Sequence, residues 1–388
     1  MPENHAVKFP ISKELEMKAV RCPSCGAAMK RNGRTGAGSQ RWRCRACGAS
    51  TTVSYDDTAA RLEEFLAWLL SKAKQADMPG QGRTFRRLAA NFWPIWPMPE
   101  PTGEAHRVLF VDGIWLSRDL VVLIAHDGEH VVSWYMAQAE TSRAWEALMA
   151  PIPAPDVVVC DGGTGFEKAR RRAWPGARVQ RCLFHAFCQV RRYTTSRPRL
   201  QAGRELYALA VELMHLETLR QAEWWVERYL QWCGFWADFL EDVSYVDGRR
   251  QFTHERLRRA RSSLSRLVSA GTLFTYLDPT LAADGPLPRT NNPIEGGVNA
   301  RLRDMLRNHR GLSLMRRVKA VFWWCYLHTE SPKPARDVLA SMPTDDDIDF
   351  LYRTYSVSPK REDGGPEWGD RAVWEELHHG DPYPFWLD

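Results

Sequence analysis

Three acidic residues stand in motifs that could hold the divalent cations of a phosphoryl-transfer site. Asp112 lies within the apolar run FVDGIWL, and Asp161 ends the run VVVCDGG. Glu295 follows NNP in RTNNPIEGGVN, where Asn291 or Asn292 is predicted to cap a helix with proline in its first turn. Carboxylates that converge repel each other unless cations neutralise them, and two Mg²⁺ (or Mn²⁺) ions about 3.5–4 Å apart are the usual partners. The alternative is three unrelated acids, in two turns and in the first turn of a helix.

Four cysteines near the N-terminus form a second set of possible ligands. The pattern C-x2-C-x18-C-x2-C contains Cys22, Cys25, Cys44 and Cys47. This spacing is typical of a zinc ribbon, in which two thiolate pairs close a tetrahedral site around one structural Zn²⁺. Because such a short segment buries little apolar surface, we expect the bound metal to supply much of the free energy that keeps it folded. Two disulfides are the alternative, and an expected cytoplasmic location argues against them.

The elements that would position the acids indicate an α/β domain. Hydrophobic alternation predicts strands at 107–116, 120–127, 130–137, 156–163 and 177–182, with helices at 142–150 and 166–174. Three antiparallel strands followed by helix, strand, helix and strand is the order of a ribonuclease-H-like fold. The first and fourth strands lie side by side in that topology, so Asp112 and Asp161 are expected at one edge of the sheet.

The remaining segments complete the predicted domain organisation. We expect a zinc ribbon (1–52), a helical segment with a proline-rich linker (53–100), a ribonuclease-H-like core (101–199 and 286–330), an all-α insertion (200–285) and an acidic C-terminal tail (331–388). The helices of 53–100 fit a DNA-binding helix-turn-helix or a plain helical connection. The apolar run 319–328 is predicted to be a buried closing helix. Tryptophans of the insertion, among them Trp225, Trp232 and Trp236, either pack its own helices or stack on DNA.

Charge is unevenly distributed along the 388 residues. The formal net charge is +6, but residues 331–388 hold 6 basic and 13 acidic side chains, so the first 330 residues carry +13. A basic body predicts a polyanionic partner. The 44% hydrophobic and 26% charged residues exclude a mostly disordered chain. No apolar run approaches the roughly 20 residues of a membrane span, and no secretory core is present, so we expect a cytoplasmic, nucleoid-associated protein without membrane contact.

Several basic clusters and one aromatic residue are candidate DNA contacts, because arginine and lysine bind phosphates. They occur in the cysteine-rich segment, in the second helix of 53–100, in the basic stretch 254–266 and after Glu295. The predicted DNA-binding residues are Arg31, Arg34, Arg41, Trp42, Arg43, Arg86, Arg87, Arg258, Arg259, Arg303 and Arg307.

Four motifs together resemble a known family. FVDGIWL, VVCDGGTGF, QRCLFHAF and RTNNPIEGGVNARLRDMLRNHRGLS are similar to Mutator-like DDE transposases of bacterial insertion sequences, in particular to the actinobacterial branch that carries a zinc ribbon. The resemblance implies that Asp112, Asp161 and Glu295 are the catalytic, Mg²⁺-binding acids. Cys182 and His185 match the family's Cys-x2-His signature, whose role the sequence leaves open.

The expected function is that of a DNA transposase. Such a protein binds the terminal inverted repeats of an insertion sequence and target DNA, as a homodimer or higher assembly, and catalyses Mg²⁺-dependent strand cleavage and transfer. The first alternative is a catalytically silent DNA-binding regulator derived from a transposase. A ribonuclease-H-like nuclease for RNA–DNA hybrids or junctions is a second alternative, for which the cysteine-rich segment and the long insertion are unnecessary.

Overall fold

The computed structural model describes residues 20–348, apart from 37 and 53–55, and residue 350. Most of the predicted acidic tail, residues 351–388, lies outside the described residues. The chain divides into two compact units, with the division at Ala59 and Ala60. Within the described residues, no helix is both long and apolar enough to cross a membrane.

The first unit contains a small antiparallel sheet. Its strands, in the order β1-β2-β3, are β1 (Met29–Arg34), β2 (Gln40–Cys44) and β3 (Ser50–Thr52). Along β2 the side chains alternate between solvent and interior, so Trp42 and Cys44 are buried while Arg41 and Arg43 are exposed. The sheet therefore directs cysteine and tryptophan inward and arginine outward.

The second unit contains a mixed five-stranded sheet of order β6-β5-β4-β7-β8. Its strands are β4 (Val108–Ser117), β5 (Leu120–His126), β6 (Val131–Ala137), β7 (Val157–Cys160) and β8 (Arg178–Arg181). The first three strands are antiparallel to one another, and β4, β7 and β8 run parallel. The first and fourth predicted strands, β4 and β7, are neighbours, as the sequence predicted.

Helices surround this sheet and form the insertion. They are α1 (Thr58–Leu70), α2 (Arg83–Ala89), α3 (Ser142–Met149), α4 (Thr164–Ala173), α5 (Leu183–Thr194), α6 (Gln201–Leu213), α7 (Leu219–Phe235), α8 (Ala237–Glu241), α9 (Glu255–Ser269), α10 (Ala300–Asn308), α11 (Leu314–Leu327) and α12 (Ala335–Ser341). Short 3₁₀ turns occur at Gln75–Asp77 and Thr275–Leu277, and a π-helical turn, Pro293–Asn299, leads into α10.

The sheet is closed by α11, whose residues 318–327 are all buried. Its Phe322 ring lies 6.2 Å from the ring of Trp134 on β6. Just beyond the helix, the carbonyl of His328 accepts a hydrogen bond from the N–H of Val131. The buried closing helix predicted from the apolar run is confirmed.

The insertion has its own aromatic core. The rings of Trp225, Tyr229 and Trp232 on α7 are buried and stack in sequence. The packing interpretation of the tryptophans is therefore confirmed for Trp225 and Trp232. An all-α insertion is wrong, because a hairpin of β9 (Val243–Val246) and β10 (Arg249–Phe252) lies within it. Its Asp-Gly turn has positive φ at both residues, which favours a tight hairpin over a continuous helix.

The proline-rich segment after α2 differs from the linker that was expected. Trp96 is buried; its backbone N–H donates to the carbonyl of Pro343 and its indole N–H donates to Asp345, 2.7 Å away. The buried ammonium of Lys319 on α11 lies 2.5 Å from the same carboxylate. Burial of a large aromatic side chain lowers the free energy of the folded state. This segment therefore packs on α11, together with the start of the acidic region, and does not form a flexible linker.

The helices α1 and α2 also pack within the second unit. Trp68 of α1 contacts Phe85 of α2, and its ring lies 4.5 Å from that of His309, which follows α10. The His309 imidazole makes a 2.9 Å hydrogen bond to the carbonyl of Leu69. The apolar face of α1 is thus used for packing, while Arg86 and Arg87 of α2 remain exposed.

Candidate active site

Asp112 and Asp161 occupy one edge of the sheet because of the strand register. Val111 on β4 pairs with Cys160 on β7, and the two aspartates are the residues that follow. Burial raises the pKa of Asp112 to about 7, and the negative charges of Asp161 and Glu295 add to this effect. Burial raises the pKa of Asp161 above its usual value and Glu295 adds to the effect, although the positive charges of Arg181 and His185 partly oppose it. The three predicted acids are therefore close enough to influence one another's ionisation.

Glu295 reaches this edge from the π-helical turn that precedes α10. The N–H of Ala300 donates to the Glu295 carbonyl, an i to i+5 bond of the kind that defines a π turn. Four residues after Glu295, the fully buried Asn299 donates from Nδ2 to Asp112 Oδ2 at 2.7 Å. The same turn thus carries the third acid and a hydrogen-bond donor to the first.

Asn291 makes the second connection to β4. Its side chain is fully buried; its Nδ2 donates to the carbonyl of Val111 at 3.1 Å, and its backbone N–H lies 3.3 Å from the sulfur of Cys182. Asn292 occupies the predicted N-cap position with Pro293 in the first turn, but its side chain makes no capping hydrogen bond. Buried amides usually have hydrogen-bonding partners, and the Val111 carbonyl satisfies the Nδ2 of Asn291, while its Oδ1 has no partner among the described residues. We call Asn291 and Asn299 the asparagine clamp.

The signature pair lies beside the third acid. Cys182 precedes α5 and His185 is in its first turn, where Nδ1 is 3.1 Å from Glu295 Oε1. The possible ligand atoms of Cys182, His185 and Glu295 all lie within 4.8 Å of one another. Cys182 and Glu295 together raise the pKa of His185 to about 10. A protonated His185 would therefore offset part of the negative charge at this edge.

A fourth carboxylate, Glu140, was missed in the sequence. It follows β6, and its Oε1 accepts a 3.0 Å hydrogen bond from the indole of Trp115. Burial raises its pKa, and the nearby Asp161 adds to the shift. Glu140 stands beside Thr141, the residue that caps α3, so its sequence context indicates only a helix start.

A buried cation, Arg181, was also missed. Arg181 ends β8 and is 6% exposed. Its Nη1 lies 1.4 Å from the place where a Cβ on Gly162 would stand, so the guanidinium covers that glycine. The one sequence signal is its position directly before Cys182, within the motif QRCLFH.

The donor chemistry of the carboxylate edge fits Mg²⁺ or Mn²⁺. These hard cations prefer carboxylate oxygens, and buried acids with raised pKa values gain stability when a cation neutralises them. Asp112, Asp161 and Glu295 supply such oxygens.

The four N-terminal cysteines could hold zinc. Their sulfurs are all within 4.8 Å of one another, and three pairs are 3.5 Å apart. Zinc–sulfur bonds of about 2.3 Å in a tetrahedron place sulfurs about 3.8 Å apart. The hydrogen bond from the Ser24 backbone is the main cause that lowers the pKa of Cys22 to about 6. The donor set and its separations therefore fit a structural Zn²⁺ site.

The predicted DNA contacts of the first unit differ in exposure. Arg31, Arg34, Arg41 and Arg43 are exposed. Trp42 is only 8% exposed and packs against Cys22, Met29 and Cys44, so its ring is not available to stack on a base. The period of β2 explains this correction, because it places Trp42 on the same face as Cys44.

The predicted contacts of the second unit also differ. Arg258 donates to the Leu240 carbonyl, pairs with Glu241 and lies 3.6 Å above the Phe252 ring, so its side chain is held by the fold. Arg259 is exposed in a 2.7 Å pair with Glu255, Arg307 pairs with Asp304, and Arg303 is exposed. Arg259 also lines a cavity of about 320 Å³ with Arg192 and Arg266.

A comparison with protein families matches part of this chain to transposases. Residues 117–256 match the family model described as transposase, Mutator family. The resemblance seen in the motifs is thereby confirmed, while the branch with a zinc ribbon stays a prediction. The matched segment contains Asp161, Cys182 and His185, and Asp112 and Glu295 lie on either side of it. A comparison with curated proteins gave no match.

Proposed function

We propose that this protein is a DDE transposase that cleaves and joins DNA at the ends of an insertion sequence. The observation that carries the proposal is geometric: Asp112 and Asp161 follow paired residues of neighbouring strands, and the turn that bears Glu295 is joined to Asp112 by Asn299. The match to Mutator-family transposases supports the same reaction class. The strand order, with the acids at neighbouring strand ends, supports a ribonuclease-H-like core in 101–199 and 286–330.

Asp112, Asp161 and Glu295 would hold two Mg²⁺ or Mn²⁺ ions. When bound, such ions act as Lewis acids for phosphoryl transfer to water or to a DNA 3′-hydroxyl. The protein's own residues prepare this site. Asn299 fixes one oxygen of Asp112 by a hydrogen bond, and the His185 imidazole lies within ion-pair distance of the Glu295 carboxylate. Residues that orient metal ligands in this way contribute substantially to metal affinity.

The first unit and the helices α1 and α2 would bind the terminal repeats. A Zn²⁺ ion held by the four cysteines would fix the sheet, from which Arg31, Arg34, Arg41 and Arg43 face solvent. Exposed arginines near Arg86 extend the basic surface of the second unit. Assembly as a homodimer or larger complex on DNA belongs to the same proposal, because two element ends must be brought together.

The substitution Asp112→Asn tests the catalytic assignment. We expect it to reduce Mg²⁺-dependent cleavage of DNA from the two sides of this gene by at least about 10³-fold, because a metal ligand that supplies several kcal/mol is lost. End binding, measured by mobility shift, should remain nearly intact. Asp284→Asn, at an exposed position away from the acids, is the matched control and should cleave normally.

Two outcomes would contradict the proposal. Normal cleavage by Asp112→Asn would remove this residue from the catalytic site. Specific end binding by the unmodified protein, without nicking in Mg²⁺ or Mn²⁺, would instead support the silent regulator.

A further inference from the structure

The guanidinium of Arg181 is buried beside the carboxylate edge without a hydrogen-bonding partner. Its side chain is 6% exposed, and Nε has no acceptor. Among the described residues, no carboxylate lies within ion-pair distance of Arg181 and no oxygen accepts a hydrogen bond from its side chain. The positive charge of Arg181 acts on Asp161, whose pKa it lowers, but its hydrogen-bond donors remain unused. Buried donors usually have an acceptor, so these donors are available to a ligand.

The fold keeps space for this side chain. Gly162 follows Asp161 with φ of +74°, and any side chain at that position would collide with the Arg181 guanidinium. Parallel pairing of Cys160 with Arg181 places the arginine at the carboxyl ends of β7 and β8, next to the chain that carries Asp161. The backbone of Arg181 is itself fixed, since its N–H donates to the Thr272 carbonyl at 2.7 Å. The paired strands thus hold the guanidinium at the carboxylate edge, the edge of the sheet where Asp112 and Asp161 lie.

Neutralising the acids does not account for Arg181 once metal is bound. Asp112, Asp161, Glu295 and Glu140 carry at most four negative charges, and two divalent cations would balance them. The positive charge of Arg181 would then be in excess. The anion still missing from such a site is the phosphodiester of the DNA, and guanidinium donors match the geometry of phosphate oxygens.

We propose that Arg181 is a catalytic residue that donates hydrogen bonds to a nonbridging oxygen of the phosphodiester being cleaved. This inference rests on the proposed function and adds a phosphate-binding group from the protein itself. The charge that develops on the phosphoryl oxygens during transfer is then stabilised by a donor that needs no reorganisation.

The first test compares stability with cleavage in Arg181→Met. Methionine fills a similar volume without charge. Because Arg181 also offsets the charge of Asp161, the melting temperature is compared in saturating Mg²⁺, where it should stay the same or rise, since a buried cation without a hydrogen-bond partner is removed. Cleavage of terminal-repeat DNA should fall about 10²-fold, as when one donor to a developing oxyanion is lost. Arg178→Met, on the same strand but with a half-exposed side chain beside Asp278, is the matched control and should cleave normally.

The second test changes the DNA. A methylphosphonate at the cleaved position replaces one nonbridging oxygen by a methyl group, and its two stereoisomers are tested separately. For one stereoisomer, the unmodified protein should lose about 10²-fold in rate while Arg181→Met loses nothing further, because the same contact is already missing. If Arg181→Met does not fold, Arg181→Lys is taken through the same comparison.

The outcomes separate this inference from the proposed function. Cleavage by Arg181→Met at the normal rate, or losses that multiply for both stereoisomers, would overturn the role of Arg181 alone. Absence of cleavage by the unmodified protein on unmodified DNA would overturn the proposed function, and this inference with it.

Discussion

The cysteine site and the carboxylate site assemble repelling ligands in different ways. The buried core of the first unit consists of four residues, and two of them, Cys22 and Cys44, are themselves possible metal ligands. In the second unit, the acids stand on a five-stranded sheet closed by a buried helix, and the asparagine clamp joins β4 to the segment of Glu295. We therefore expect the cysteine site to depend on a metal for its shape and the carboxylate site to keep its shape without one.

This difference gives metal removal two different expected effects. Loss of zinc should unfold the small sheet, because little apolar surface remains to hold it. Loss of Mg²⁺ should leave the larger sheet folded, with the acids partly protonated. The predictions below test this contrast.

The largest effect is expected from the double substitution Cys25→Ser and Cys47→Ser. A structural zinc site contributes about 10 kcal/mol or more to folding, so the first unit should lose its structure and specific end binding should be abolished. Zinc content, hydrogen exchange of β1–β3 and mobility shift measure this. Cys188→Ser on α5, outside both sites, is the control. Retained hydrogen-exchange protection in the zinc-free variant would contradict a shape that depends on metal.

A smaller effect is expected when the clamp is opened by Asn299→Ala. Loss of the hydrogen bond to Asp112 should weaken the apparent Mg²⁺ affinity in cleavage by about 10–100-fold, as for other groups that orient metal ligands. Raising the Mg²⁺ concentration should restore much of the rate. Asn308→Ala, at the exposed end of α10, should change neither quantity. An unchanged Mg²⁺ dependence in Asn299→Ala would mean that the clamp does not prepare the site.

The carboxylate site should also make stability depend on pH when metal is absent. The pKa of Asp112 rises from 3.8 to about 7 on folding, so the folded state holds the proton more tightly and the free energy of unfolding should fall as pH rises from about 4 to about 7. Asp161 adds to this fall. The raised pKa of His185 extends it from about 6.5 to about 10.

Denaturant unfolding at several pH values measures this dependence. Asp112→Asn should flatten the part below about pH 7, and Mg²⁺ should also flatten it by neutralising the acids. If the free energy of unfolding depended on pH in the same way for the variant and the unmodified protein, the pKa of Asp112 would not be raised by folding.

The smallest effect concerns the arginines of the first unit. A plot of the logarithm of the end-binding constant against the logarithm of salt concentration has a negative slope. Arg41→Gln and Arg43→Gln should each reduce the magnitude of that slope by about 0.9, the value for one lost phosphate contact. The cysteine site should be unaffected, because both side chains face solvent. Arg336→Gln on α12 is the control. An unchanged salt dependence would move the DNA interface away from β2.

The sequence predicted best those features that depend on local pattern. Ligand spacing located the four close cysteines, and alternation with buried runs located β4 and β7. Their pairing brings Asp112 and Asp161 to one edge, since strand order follows from the succession of elements. For Trp42 the local signal was overlooked, because the two-residue period of β2 already places it on the buried face of Cys44.

Features that depend on distant partners could not be predicted. Asn291 pairs with a carbonyl 180 positions away, and Trp96 donates to a carboxylate 249 positions away. The burial of Arg181 follows from the parallel pairing of β7 with β8 and from the space above Gly162. Glu140 has the sequence context of an ordinary acid before a helix. None of these contacts leaves a periodic signal in the sequence.

The π-helical turn has a consequence for how this segment can change during evolution. Glu295 and Asn299 lie four residues apart within this widened turn. Deletion of Gly296 or Gly297 would leave them three residues apart, and in an ordinary α-helix side chains at that spacing differ in direction by about 60°. The placement of Asn299 relative to Glu295, and with it the hydrogen bond to Asp112, should then be disturbed. Gly297 should tolerate a small side chain, because nothing lies within 4 Å of a Cβ there, whereas at Gly296 the Asn292 side chain would have to move. A change in the number of residues should be tolerated less well than either replacement, so that length, more than composition, is inherited at this position.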